Sequence, residues 1–425
     1  MKKINFRNIL GSKIFLLLAA FVFLTTTACE ELDFVDPNGP SLEQTSVQTL
    51  VTGIEAGMRI DHEFYLRDVL VIGREAFYLE PSDPRYTGEL LGKDGTQIDP
   101  SGFLLVRPWG SRYRVIRNCN FLIQQNDKGA SGFAKTVMAY QLLLNLNLTY
   151  ENGIRIDVSG DKPGPFVSKD AALDYISSLL DEAKADLDAA GGSFSFELSN
   201  GFADFNTPAE FAKFNRGLKA RVAIYQKDYA TALTALSQSF LDLGAPLTKG
   251  VYLDYGTGVG DQLNPIFEVP NATSIKLFAH PSFLADAEAG DTRVSSKTFV
   301  RSEPTTIDGL TSNIAITIFG SNTDPLPIMR NEELILLRAE ANIGAGNIAD
   351  AESDINFIRN SAGLPNVSLD ANNALDELLK QKRYSLFAEG YRWIDLRLYN
   401  KLDTLPKDRP GDLVHKQMPR PSTEI

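Results

Sequence analysis

The chain has 425 residues, 43% hydrophobic and 23% charged, enough for one large domain or two to three ordinary ones and unlike collagen, a coiled coil or a disordered chain. Its 42 Lys and Arg face 54 Asp and Glu, so the formal charge is −12, the wrong sign for a general nucleic-acid binder. Only three histidines (His62, His280, His415) and two cysteines (Cys29, Cys119) occur, with no H-E-x-x-H and no close Cys/His spacing; this disfavours a zinc or His-based catalytic site, and no cofactor motif is found.

Residues 1–28 carry Lys2, Lys3, Arg7 and Lys13 without an acid, then an apolar run from Ile14 to Leu24 and small residues up to Ala28, the pattern of a secretory signal peptide. The run is short of the ~20 residues that a membrane span takes. Thr26-Thr27-Ala28-Cys29 resembles a bacterial lipobox, with Thr26 where leucine is usual. Cys29 is therefore the expected lipid attachment site and mature N-terminus, leaving Cys119 without a disulfide partner. Cys119 falls on the stripe Val115, Cys119, Leu122, which predicts burial. Loss of the signal peptide's four cations takes the charge to −16. Glu30, Glu31 and Asp33 beside the lipid look like the surface-export signal of Bacteroidetes lipoproteins. Residues 29–41, with Asp36-Pro37-Asn38-Gly39-Pro40, read as lipidated cysteine and flexible tether.

Helical periodicity follows near 42–59, 109–125, 133–150, 169–189, 208–226, 229–241, 331–345, 348–361 and 374–389, so the fold class is mainly α. The clearest start is Thr207-Pro208-Ala209-Glu210: a hydroxyl N-cap, a proline at the first helical position and a glutamate able to reach back. Phe211, Phe214, Leu218, Val222 and Tyr225 form its apolar stripe; Lys227-Asp228 turns the chain, and Tyr229, Leu233, Leu236 and Phe240 form a second one. The two make a hairpin of tetratricopeptide (TPR) size over 207–241. A shift of 119 places Leu218, Ala220, Ile224, Ala230 and Ala232 on Leu337, Ala339, Ile343, Ala349 and Ala351, with the helix break at the same offset, which predicts a second unit over 331–363. Residues 79–107 and 242–330 read as loop-rich insertions with a few short strands, such as the apolar piece Ile314–Phe319. Loops on a rigid helical frame are where binding usually resides.

The stretch RNEELILLRAEANIGAGNIADAESDINFIRNSAGL over 330–364 and LFAEGYRWIDLR over 386–397 resemble the SusD/RagB family of outer-membrane nutrient-binding lipoproteins. The matching residues include Arg330, Glu333, Arg338, Glu340, Asn356, Arg359 and Gly363, then Glu389, Gly390, Arg392, Trp393, Asp395 and Leu396. Gln381 and Ser385 stand where the family has acids, and a longer C-terminal tail of other members is lacking. The resemblance implies a single SusD-like domain over 42–425. Within the E-G-x-R-W-x-D-L stretch we expect scaffold rather than site: Gly390 closing a helix in the left-handed conformation, Trp393 buried with its N–H bonded, and Arg392 pairing with Asp395.

The resemblance further implies a glycan- or nutrient-binding lipoprotein on the outer membrane, a lid over a SusC-like TonB-dependent transporter, and no enzymatic reaction. Sugar rings stack their C–H faces on aromatic side chains, and their hydroxyls need polar partners. Tyr78, Arg85 and Tyr86 in the first insertion, and Tyr252 and Tyr255 in the second, are the candidate ligand-binding residues. The rival readings are a TPR-like protein-interaction adaptor and a surface glycoside hydrolase; no catalytic signature accompanies the acids that the latter needs.

Overall fold

A computed structural model describes residues 45–160 and 162–424. The signal peptide, Cys29 and the tether lie outside the described residues.

Polar side chains cap the starts of several helices. Ser46 accepts from Thr49 N and opens α1 (Val47–Arg59); α2 (His62–Ile72) follows at once, and β1 (Ala76–Tyr78) leads to the short α3 (Arg85–Gly88). Helix α4 (Phe103–Ile123) begins six residues before the sequence reading of 109 and carries Pro108 inside its second turn. Asp127 caps α5 (Lys128–Thr149), whose first turns lack an apolar stripe. Glycine serves packing there: a Cβ on Gly132 would stand 2.5 Å from Leu187 Cγ. The small strands β2 (Ile154–Arg155) and β3 (Phe166–Val167) pair, and α6 (Lys169–Asp188) packs between α5 and α7 (Pro208–Gln226).

Thr207 caps α7 as the sequence predicts, its hydroxyl accepting from Glu210 N at 3.3 Å. The reach back by Glu210 does not occur, since its carboxylate takes Lys213 at 2.7 Å, a nearer and oppositely charged partner. Lys227 turns the chain at φ 59°, and Asp228 caps α8 (Tyr229–Ser237). Beyond β4 (Gly250–Leu253), β5 (Leu277–Ala279), α9 (Ser282–Ala285), α10 (Thr292–Lys297), β6 (Thr298–Ile307), β7 (Leu310–Ile316) and β8 (Leu326–Arg330) comes the second hairpin, α11 (Asn331–Gly344) and α12 (Ile348–Ser361). The starts of α8 at 229 and α12 at 348 keep the 119-residue offset. A Cβ on Gly344 would lie 2.3 Å from the Tyr229 ring, so glycine lets the first hairpin rest on the end of α11. Helices α13 (Ala374–Ser385) and α14 (Arg392–Leu398) complete the frame.

The 242–330 insertion is more ordered than its Gly-, Pro- and Thr-rich composition suggests. Strands β1-β5-β7-β6 form an antiparallel sheet in that order, and β4 pairs with β8. The main core runs from α1 through the helical layers into this sheet, with Trp109, Phe133, Phe211 and Phe278 fully buried; apolar burial of this kind supplies ~25 cal/mol per Å². Cys119 is buried, as its stripe predicts.

The SusD-like motifs serve as internal fastenings. Arg338 pairs with Asp354 across the second hairpin, and Arg359 with Glu288 and Glu377. Asn356 ties the N-x-I-R turn to Val367 by two hydrogen bonds, 2.9 and 2.8 Å, while Gly363 takes φ 79°. Trp393 is buried and donates to His415 O at 2.7 Å. Gln381 donates to Glu377, and Ser385 accepts from Arg293, so polar bonds stand where acids were expected. Two expectations are corrected. Asp395 pairs with Lys382 at 2.6 Å, not with Arg392: Lys382 also meets Glu340, and one buried cation between two carboxylates satisfies both acids. Gly390 has φ 85° but lies past the end of α13 in the turn into α14, where a Cβ would meet Val69 Cγ2 at 2.9 Å.

Candidate functional site

Tyr78 ends β1 and Tyr86 sits in α3, and the fold brings their rings edge to face with centroids 4.6 Å apart. The Arg67 guanidinium lies 4.3 Å from the Tyr78 centroid, 4.8 Å from that of Tyr86 and 4.6 Å from that of Phe64. Phe103 packs edge-on against both Tyr86 and Phe64. Arg85 lies over Phe103 and Arg107 over Phe64, at 4.2 and 4.1 Å. The result is a platform of four rings interleaved with three guanidinium groups. Arg85 is half in solvent, held by Asp83 through bonds of 2.9 and 2.7 Å. Tyr86 is buried and Tyr78 half-buried; burial pushes the Tyr86 hydroxyl up to about 12, so it stays a protonated donor at neutral pH. Phe64, Arg67, Phe103 and Arg107 were not singled out from sequence, since Phe64 and Arg67 belong to the unrecognised α2.

Tyr252 and Tyr255 are parted by the fold. Tyr255 is buried, with a hydroxyl that finds no hydrogen-bond partner. Tyr252, on β4, is half-buried; its hydroxyl donates to Thr248 O, and the residue is among those that line two clefts. One, of about 430 Å³, has walls of Ile318, Phe319, Pro325 and Pro327, and a charged floor in which Arg330 joins Glu332 and Glu389. Lys297 stands beside that floor, donating to Tyr384 O at 2.8 Å and to Ser385 O; burial pushes its ammonium down to about 8. The other cleft, of about 330 Å³, is lined by Glu55, Arg59, Asp254 and Asp261 together with the 258–261 loop. Glu55 accepts from Ser199 N and Oγ, and burial raises its pKa. Gly201 allows the turn that carries Ser199 to approach β4: a Cβ there would stand 2.1 Å from Tyr252 O.

Among the described residues no group of three or more His, Cys, Asp or Glu could hold a metal ion, and no helix is long and apolar enough to cross a membrane. Phe64, Arg67 and Tyr86 are buried within the platform, so what faces solvent is the Arg85 and Arg107 guanidinium groups with the half-buried Tyr78 and Phe103 beside them.

The model of the SusD family matches residues 310–413, the segment from β7 through both motifs. Solved structures agree over most of the chain. A SusD superfamily protein from Bacteroides thetaiotaomicron is 18% identical with a TM-score of 0.65, over 91% of this chain and 97% of that one. Surface glycan-binding protein A from Bacteroides thetaiotaomicron, in complex with laminarihexaose, is 13% identical with a TM-score of 0.66, over 89% and 96%. The chain carries a SusD-family segment on a SusD-like fold. The resemblance to the SusD/RagB family thus holds in sequence and in architecture. A surface glycan-binding protein A from Bacteroides uniformis shares the fold as well, at 14% identity and a TM-score of 0.62 over 83% of this chain and 88% of that one. No curated protein sequence matches this SusD-like chain.

Proposed function

We propose that this SusD-like protein is a cell-surface lipoprotein that binds an oligosaccharide without transforming it and passes it to a SusC-like TonB-dependent transporter, for which it acts as the lid. The observation that carries the binding part is the Tyr78–Tyr86 platform, where rings and guanidinium groups interleave with Arg85 and Arg107 exposed at its edge, on a frame shared with a protein solved with laminarihexaose. Cys29 is the proposed anchor on the outer membrane, facing the exterior. Residues 30–41 would then reach roughly 40 Å when fully extended, keeping the body near the bilayer and its barrel partner. The helical hairpins are the proposed docking side, as repeat faces offer broad packed surfaces.

The experiment is purification from solubilised membranes followed by calorimetry with oligosaccharides. A co-purifying outer-membrane barrel and saccharide binding without hydrolysis are expected. A soluble enzyme as the partner would favour the adaptor reading instead. Release of Cys29→Ala from the membrane fraction tests the anchor.

A further inference from the structure

Helix α4 contributes Gly110, Tyr113, Arg114 and Arg117 to the lining of a further cleft, of about 250 Å³, and their spacings of three and four put them on one helix face. Arg155 of β2 and Glu424 are its other charged residues. Tyr113 fastens α4 to β2, since its hydroxyl donates to Arg155 O and accepts from Arg155 N, both at 2.9 Å. Three guanidinium groups thus share the cleft with one carboxylate, a positive balance in a chain of formal charge −12. The carboxylates nearby are already engaged. Glu424 takes Arg155 Nε at 2.8 Å on one oxygen and the Trp109 indole at 3.2 Å on the other. Asp61 holds Arg107 at 2.5 Å and the Ser111 hydroxyl at 2.6 Å, which leaves Arg114 at 3.7 Å with 68% of its side chain exposed. Arg117 is exposed as well, and it makes no hydrogen bond or ion pair among the described residues.

Gly110 supplies an independent observation. Glycine is among the poorest helix formers, yet no neighbour demands it here: a Cβ on Gly110 would meet nothing within 4 Å. The space above a mid-helix glycine is therefore open, with two exposed arginines one and two turns further along the same face. We propose that this cleft binds the oxyanion group of a small acidic ligand, a carboxylate, sulfate or phosphate, with Arg114 and Arg117 as its charge-assisted donors and Gly110 as the floor that leaves it room. Planar guanidinium forks match such groups with parallel N–H bonds, which a lysine cannot offer. The volume falls below the ~300–1,000 Å³ of typical small-molecule sites, which suits one anionic unit and not a chain. This site goes beyond the saccharide binding proposed for the Tyr78–Tyr86 platform and does not rest on it.

The test is calorimetry on the protein purified from membranes, at fixed ionic strength because salt screens exposed charges, with glucuronate, glucose 6-sulfate, glucose 6-phosphate and glucose. The probes differ only at C6. At least one anionic probe should bind tenfold or more tightly than glucose, and its identity names the group. Gly110→Leu should weaken that probe at least tenfold with an unchanged or raised melting temperature, because it fills the cleft and improves the helix. Arg117→Gln should also weaken it at least tenfold, whereas Lys184→Gln, which removes an equal charge from α6, should leave it unchanged. Equal loss in Lys184→Gln would trace the effect to net charge and overturn the site, as would wild-type affinity in Gly110→Leu or Arg117→Gln. Glucose binding as tightly as every anionic probe, or no binding of any anionic probe by the wild type, would overturn the oxyanion assignment and leave the platform reading standing.

Discussion

Arg221 of α7 and Glu333 of α11 form a bidentate ion pair, 2.7 and 2.8 Å, that fastens the first helical hairpin to the second. Both side chains are buried, at 5% and 1% exposure, and Tyr391 bonds to each at 2.9 Å. Arg221 also donates to Ile328 O, so the same guanidinium holds β8, which pairs with the strand bearing Tyr252. Removing one partner of such a pair strands a buried charge, at ~3–5 kcal/mol. Glu333→Ala is expected to lower stability by about that much in urea melts. Arg221→Met combined with Glu333→Leu should cost clearly less than the two single changes added together. Strict additivity would mean that the two residues are not energetically coupled.

Thr207 offers a smaller and more local measurement. Its hydroxyl satisfies one of the orphan N–H groups at the start of α7, so Thr207→Ala should cost roughly 1 kcal/mol with saccharide affinity unchanged. Pro208 stays in place to mark the first turn, so the substitution reports the cap and not the register. A melt indistinguishable from wild type would show that solvent serves the helix end equally well.

These two cases show what was readable beforehand. The α7–α8 hairpin announces itself through a cap, a proline and two stripes of regular spacing, and the offset of 119 carries the same break into α11–α12. Helix α2 does not, because nearly all of its residues are buried and no polar face gives it a period. That omission also hid Phe64 and Arg67, half of the platform around Tyr78 and Tyr86. The clefts at Tyr252 were not legible at all: their walls come from residues near 55, 199, 254, 297, 325 and 389, which only the β4–β8 pairing and the turn at Gly201 assemble. Arg392 was misassigned for a related reason, since neighbours in sequence were paired while Lys382 reached Asp395 from another helix.

Stability should depend on pH through Glu75. The residue is buried with Oε2 unpartnered; burial pushes its carboxyl up from 4.5 to about 8, with Arg392 only partly offsetting this. The folded state therefore holds a proton that the unfolded chain releases near 4.5. Its contribution to stability is fully present below that pH and is lost as the pH rises toward 8, at up to ~1.4 kcal/mol per pH unit. Glu75→Gln keeps the shape and removes the titration. The variant should outlast the wild type in urea at pH 8, with the difference shrinking toward pH 5. An equal advantage at both pH values would show that charge is not the cause.

The platform supplies the decisive measurement on binding. Arg67 already occupies ring surface on both Tyr78 and Tyr86, so a sugar must use the remaining face or edge of each ring, with Arg85 and Arg107 as donors at the solvent side. If stacking on sugar is comparable with other aromatic anchors, Tyr78→Ala and Tyr86→Ala should each weaken saccharide binding by about 1–3 kcal/mol. Tyr86 is the more buried of the two and packs on Phe103, so its replacement should also lower the melting temperature, while Tyr78→Ala should act mainly on affinity. The double variant must be compared with Tyr252→Ala on the same ligand. Loss confined to the platform variants places recognition there; unchanged calorimetric affinity in the double variant, together with loss in Tyr252→Ala, moves the whole of recognition to the clefts beside β4.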